Sequence, residues 1–327
     1  MGGSSLNTNP PNASRHITPG GSDWLWAVFA VMGICDLAMI AWSFVRPRGT
    51  RMFHQIAVIV LTTATITYFA MASDLGAAPV YVEFLRGGAP GTTRQVWWVR
   101  YVQWFITLPL LLLALLLATG LTLTDIFTTV FMGWVLVICG LVGAFVPTHY
   151  KWGFFIFGVL AMFYIWSVLL GHGRRSTFAA GGTVRSGYIR TAAAFSLLLL
   201  LYPICWACSE GGNVISPTGE MIWYGILDLL AGPVFLFLLL FGLRSADMTT
   251  FGRGYEYGGS GNAGPGMTTA PGANGVAGTR AGGHGVGPTS MGAGRTGAGV
   301  GNGTTTGAGM GSATGNGTAA MPGGTVV

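Results

Sequence analysis

Arg100-Tyr101-Val102-Gln103-Trp104-Phe105-Ile106-Thr107-Leu108-Pro109, continued by the leucine-rich run to Leu117, decides what kind of protein this is. Past Arg100 the stretch carries no charge. At roughly 20 residues it is long enough to cross the hydrocarbon core of a bilayer as a helix. Lipid offers backbone groups no partners, so a helix, which satisfies them internally, is the expected form. Comparable stretches recur along the chain. The expected spans are 23–45, 53–73, 95–118, 123–146, 151–171, 189–208 and 219–243. The fold class is therefore all-α membrane, a seven-transmembrane-helix bundle.

The composition agrees. Of 327 residues 51% are hydrophobic and only 8% charged, where soluble domains average about a quarter charged. The mean hydropathy is +0.59. The net charge of +6 does not point to nucleic acid, because the basic residues are spread through loops and tail and form no dense block. Cys35, Cys139, Cys205 and Cys208 all fall in expected spans, so the CxxC at 205–208 reads as two small apolar residues one turn apart, not as a redox pair. The five histidines are scattered, and no Cys/His cluster has metal-ligand spacing. No metal site, activated nucleophile or phosphate-binding loop is present in the sequence, which excludes the common enzyme classes.

Three parts follow from this reading. Residues 1–22 form a polar leader, 23–247 hold the seven-helix domain, and 248–327 form a low-complexity tail. The first apolar run is long enough to act as an uncleaved anchor. From Gly258 onward the tail has no aromatic residue, Leu or Ile. It is expected to be disordered for want of apolar surface to bury. Arg46, Arg48, Arg51, Arg174, Arg175, Arg185, Arg190 and Arg244 gather on one side of the spans. The positive-inside rule then expects the N-terminus outside and the Gly-rich tail in the cytosol. Asn12-Ala13-Ser14 has the form of a glycosylation sequon. In the loop 74–94, Val80-Tyr81-Val82-Glu83-Phe84 is expected to start a small hairpin around Gly87-Gly88.

Inside the bundle, Asp228 sits within the apolar run Leu227-Asp228-Leu229-Leu230-Ala231-Gly232-Pro233 and needs a partner. Arg100 is the expected one, with the hydroxyls of Tyr68 and Tyr202 completing the carboxylate's bonds. A purely structural buried pair is the plainer reading of the same residues. The other interior motifs are Ile66-Thr67-Tyr68-Phe69-Ala70-Met71, Tyr202-Pro203-Ile204-Cys205-Trp206 and Ser209-Glu210-Gly211.

The set Arg-Tyr-x-x-Trp-x-x-Thr-x-Pro, Tyr-Pro-x-x-Trp and Leu-Asp strongly resembles the microbial (type 1) rhodopsins. The similarity covers all seven spans, roughly two thirds of the chain. Within that family the chain looks most like the fungal opsin-related group that includes the yeast plasma-membrane heat-shock proteins. The resemblance implies a rhodopsin-like bundle in which Tyr68, Arg100, Trp104, Thr107, Pro109, Tyr202, Pro203, Trp206 and Asp228 occupy pocket or counterion positions. It makes Glu210 and Glu220 the outer acidic pair used for proton release in some pumps.

The departures carry as much information. The family's retinal-binding lysine belongs four residues after Asp228, where this chain has Gly232. Lys151 is the only lysine, placed at the edge of the fifth span and expected to snorkel to water. The position of the primary proton acceptor is Gln103, and that of the proton donor is Ala114. Two aromatic wall positions are Leu199 and Phe155. Losing the lysine alone would strand a carboxylate in low dielectric at a cost of several kcal/mol. Here a cation and an anion are lost together, which would leave Arg100 against Asp228. Proline at 233 is expected to bend the last helix. The volume vacated at Gly232 is expected to close, with a remnant pocket for an apolar molecule as the alternative.

The function implied is that of a non-photoactive, opsin-related plasma-membrane protein of the stress response, not an enzyme, with no retinal and no metal. Expected partners are membrane lipids, a membrane protein such as a proton-pumping ATPase, and further copies of the chain. A receptor or carrier for a non-covalent apolar ligand is the alternative. A light-driven pump or photoreceptor is disfavoured by the missing amine and, independently, by Gln103 and Ala114.

Overall fold

Thr18 starts the first membrane helix. Its hydroxyl accepts from the Gly21 N–H at 3.3 Å, and Pro19 takes the first helical position, where no N–H is needed. In the computed structural model, which describes residues 2–47, 51–173 and 182–243, that helix therefore begins earlier than its apolarity suggests. The elements are a short α1 (Gly2–Thr8), α2 (Pro19–Val45), α3 (Met52–Ala72), β1 (Ala78–Tyr81), β2 (Thr93–Val96), α4 (Trp98–Leu117) and α5 (Leu123–Phe145). Then come α6 (Lys151–Trp166, continued by a π-helical turn Ser167–His172) and α7 (Gly182–Trp206, continued by a π-helical turn Ala207–Gly211). The last, α8, runs Pro217–Leu229, passes through a π-helical turn Leu230–Val234 and ends as Phe235–Leu243.

Seven of these helices are long and apolar enough to cross a membrane, in agreement with the seven expected spans. Sequential neighbours pack on one another from α2 to α8, and α8 returns to α2, so the ring closes. Large apolar side chains such as Ile34, Leu37, Phe127, Phe157 and Leu160 face outward. In water they would form an extended sticky surface; around a bundle in lipid they are the expected covering. Arg48, Arg174, Arg175, Arg185, Arg244 and the tail lie outside the described residues, apart from the backbone at 185.

The hairpin is present. β1 and β2 pair antiparallel with Ala78 opposite Val96 and Tyr81 opposite Thr93. Its connection passes through Arg86 and Gly87 with positive φ. The third span starts at Trp98 and not at 95 because Thr93–Val96 is taken up by β2. The leader also joins this cap. Arg15 N–H donates to Thr93 O, and Gln95 N–H donates back to Arg15 O, both at 2.9 Å. The leader, the hairpin and the 212–216 loop thus lie together at one end of the bundle, called here the leader end.

Prolines interrupt α4 at Pro109, α7 at Pro203 and α8 at Pro233. The π-turn at 230–234 contains Pro233, and the Phe235 N–H reaches Leu230 O across it. The bend expected from Gly232-Pro233 thus takes the form of a widened turn.

Candidate functional site

Asp228 lies about three turns into α8 and is 2% exposed. The Tyr68 hydroxyl, from α3, donates to its Oδ2 at 2.6 Å, and the Tyr202 hydroxyl, from α7, donates to Oδ1 at 2.7 Å. Both tyrosines were expected here. Arg100 was expected too, and that pairing is corrected: among the described residues no cation lies within ion-pair distance of Asp228.

Arg100 instead directs Nη2 to Glu210 Oε1 at 2.9 Å and to Glu220 Oε1 at 3.4 Å. Depth explains the choice. Arg100 lies in the first turn of α4 and Glu220 in the first turn of α8, both at the leader end. Asp228 is roughly 12 Å further along α8 at 1.5 Å per residue. Glu210 arrives from the π-turn that ends α7.

This cluster contains more than the sequence motifs announced. Arg94, from β2, donates through Nη2 and Nε to Glu220 Oε2 at 2.6 and 3.3 Å. Its Nη1 donates to Asn213 Oδ1 at 2.9 Å and to Ile215 O at 2.7 Å. The Tyr101 hydroxyl donates to Glu210 Oε2 at 2.6 Å. The Arg100 guanidinium lies 3.6 Å from the Tyr224 ring centroid, a close cation–π contact. Two arginines therefore face two glutamates, and the cluster balances without Asp228. In the sequence Arg94 reads as a loop charge; its only hint is its position just before the span that carries Arg100.

Lys151 also departs from expectation. It is 2% exposed, not snorkelled. Its Nζ donates to the Glu210 carbonyl oxygen at 3.4 Å and lies 3.8 Å from Glu83. Glu83 belongs to the hairpin connection, which thus supplies a carboxylate where open water was expected.

A cavity of about 90 Å³ adjoins the arginine–glutamate cluster, with Arg100, Tyr101 and Tyr224 contributing to its lining. Trp104, Phe155, Leu199, Tyr202, Pro203 and Trp206 are among its walls. The Trp104 and Tyr202 rings meet at 4.4 Å, and Phe155 stacks on Trp206 at 5.4 Å. Trp206 is fixed by donating Nε1–H to the Gly140 carbonyl at 3.1 Å. Beside Asp228 the space is much smaller, about 10 Å³, bounded by Gln103, Trp104, Thr107, Asp228 and Gly232 among others. A Cβ on Gly232 would meet Met32 and Leu61 at 3.7 and 3.9 Å. The volume near Gly232 has thus nearly closed, while the aromatic cavity persists. Gln103 Oε1 is buried with no hydrogen-bond partner among the described residues.

Pro109 and Ala114 lie buried on α4, beside Leu108, Leu111, Leu112, Leu115 and Leu116. Cys35, Cys139, Cys205 and Cys208 are free thiols, and no metal-binding cluster occurs among the described residues.

A ring of seven helices of this kind has counterparts among known proteins. The bacteriorhodopsin-like protein family model matches residues 20–246. This chain belongs to that family. A Trametes versicolor protein named FDD123 is 65% identical over 252 residues, covering 77% of this chain and 88% of its own length. The 30 kDa heat shock protein of Saccharomyces cerevisiae is 34% identical, covering 72% of this chain and 76% of its own. Among solved structures, a light-driven proton pump from Leptosphaeria maculans aligns with a TM-score of 0.67 and 33% identity, over 71% of this chain and 99% of that one. The proteins to which this chain is similar thus include one described as a light-driven proton pump and one named for heat shock.

Proposed function

We propose that this family member works without a covalent chromophore, as a stress-response or regulatory protein of the plasma membrane. One observation carries the reading. Gly232, four residues past Asp228, supplies no amine, and the tyrosine hydroxyls take up both oxygens of Asp228. The residues present do not fit a covalently held retinal. The sole lysine is engaged with Glu210 and Glu83 at the leader end and does not line the aromatic cavity. The run of buried leucines around Ala114 offers no proton-carrying side chain along that stretch of α4, which argues against pumping.

The name of the yeast relative supports a stress role. On this reading the protein catalyses no reaction and acts through contacts with lipids, with other copies of itself and with a membrane protein such as a proton-pumping ATPase. Two measurements test it. Purified protein titrated with all-trans-retinal is expected to show no red-shifted visible band, with the Leptosphaeria pump as positive control; a borohydride-trappable adduct overturns the pigmentless reading. In a fungal host, loss of the protein is expected to change ATPase-driven acidification after heat or weak-acid shock; an unchanged rate overturns the regulatory reading.

The persistent cavity favours a second reading, a receptor or carrier for a non-covalent apolar ligand. Its walls are mostly tryptophan, phenylalanine, leucine, valine and proline, which suit an apolar ring, with Arg100, Tyr101, Tyr202 and Tyr224 as its polar edge. Saturable binding of a small cyclic terpene that weakens when Leu199→Trp fills the space supports it, and no saturable binding overturns it.

A further inference from the structure

A third concavity lies away from the bundle interior, where α1 rests against the start of α2. It has a volume of about 260 Å³ and is lined by Ser4, Ser5, Thr8, Asn9, Trp26 and Ser73. The local bonds hold it in shape. Asn9 Nδ2–H donates to the Ser73 carbonyl at 2.8 Å, Trp26 Nε1–H donates to Ser5 Oγ at 3.1 Å, and the Thr8 hydroxyl donates to the Ser4 carbonyl at 3.0 Å. Among the described residues every lining side chain carries a hydroxyl, an amide or an indole, and none carries a charge.

Trp26 belongs to this hollow and also to an aromatic wall between α2 and α3. Its ring meets Phe29 and Phe69 edge-on at 5.7 and 5.8 Å, and Phe29 lies 5.6 Å from Phe69. Phe69 is 49% exposed and Ile66, also on α3, is 65% exposed, on helices that would face lipid. One turn past Phe29, Gly33 leaves room, its absent Cβ meeting only Thr65 at 3.6 Å. A neutral, hydroxyl-rich hollow thus caps an apolar wall along the helix direction.

We propose that this surface binds a sterol, with its single hydroxyl in the hollow and its ring system on the wall formed by Trp26, Phe29 and Phe69. Charge complementarity selects the occupant. A phospholipid headgroup carries a phosphate, which would call for Arg or Lys in the lining, and among the described residues there is none. A rigid, uncharged ring lipid with one hydroxyl matches both parts, and planar aromatic faces suit a ring better than a mobile acyl chain. Such an occupant orders few rotors on binding, so little entropy opposes it.

The test uses the full chain in phosphatidylcholine nanodiscs with a trace of photoactivatable, alkyne-tagged cholesterol, the adducts being mapped by peptide mass spectrometry. Labelling is expected to concentrate on the peptides carrying Ser4–Asn9, Trp26 and Phe69, and to be displaced by excess unlabelled cholesterol. Phe69→Ala should lower it about fivefold, the factor expected from losing one modest contact. Asn9→Leu should lower it similarly, and because Asn9 lies outside the bundle core it guards against loss through misfolding. Phe157→Ala, on the lipid face of α6, should leave it unchanged. Even labelling around the bundle, equal displacement by phosphatidylinositol, or no response to either Phe69→Ala or Asn9→Leu overturns the proposal.

Discussion

Two neighbouring regions of the interior handle charge in opposite ways. At the leader end, Arg94 and Arg100 are cross-linked to Glu210 and Glu220 through ion pairs of 2.6 to 3.4 Å. About 12 Å deeper, Asp228 is held by the phenolic hydroxyls of Tyr68 and Tyr202. The first region keeps its cations and anions in equal number. The second contains no lysine, and its carboxyl is held by neutral donors. A buried charge tolerates the loss of a counterion only when other donors or a proton can replace it. The ionic cluster should therefore be brittle and the Asp228 region forgiving.

The sharpest way to break this contrast is Arg100→Ala. It strands Glu210 with one hydroxyl and leaves Glu220 to Arg94 alone, so a loss of about 3–5 kcal/mol is expected in detergent unfolding. A loss under about 1 kcal/mol would show that the cluster behaves like an exposed ion pair and is not brittle. Tyr68→Phe comes next. It removes one of the two donors to Asp228 and should cost about 1–3 kcal/mol, read from the same unfolding curves. Asp228→Asn should cost less, about 1 kcal/mol, because an amide oxygen still accepts from one tyrosine and Arg100 keeps its own partners. An Asp228→Asn variant as unstable as Arg100→Ala would mean that the two regions share one charge balance. The smallest effect belongs to the cavity. Leu199→Phe should fill part of it and change stability by less than about 1.5 kcal/mol in either direction, while lowering any apolar-probe binding.

Several features of the site were legible along the chain. Tyr68, Tyr202 and Asp228 come together as their motifs suggest, and so do Trp104, Pro203 and Trp206 around the cavity. The pairing of Arg100 differs from the one its motif suggests, although counting residues from the starts of α4 and α8 places Arg100 level with Glu220 and above Asp228. Arg94, Asn213 and the burial of Lys151 were not legible. Each depends on the hairpin and the 212–216 loop folding over the bundle end, and nothing in a loop sequence states which helix end it will cover.

The seven spans, the hairpin and the lack of an amine at position 232 belong to the sequence alone. A helix in lipid satisfies its own backbone, so its existence depends on local length and apolarity, and the absence of a side chain needs no fold to be read. Which carboxylate faces which arginine, what shields Lys151 and where space survives between helices belong to the tertiary structure. Those depend on the depth and rotation of each helix against its neighbours, and packing sets them for the whole ring at once.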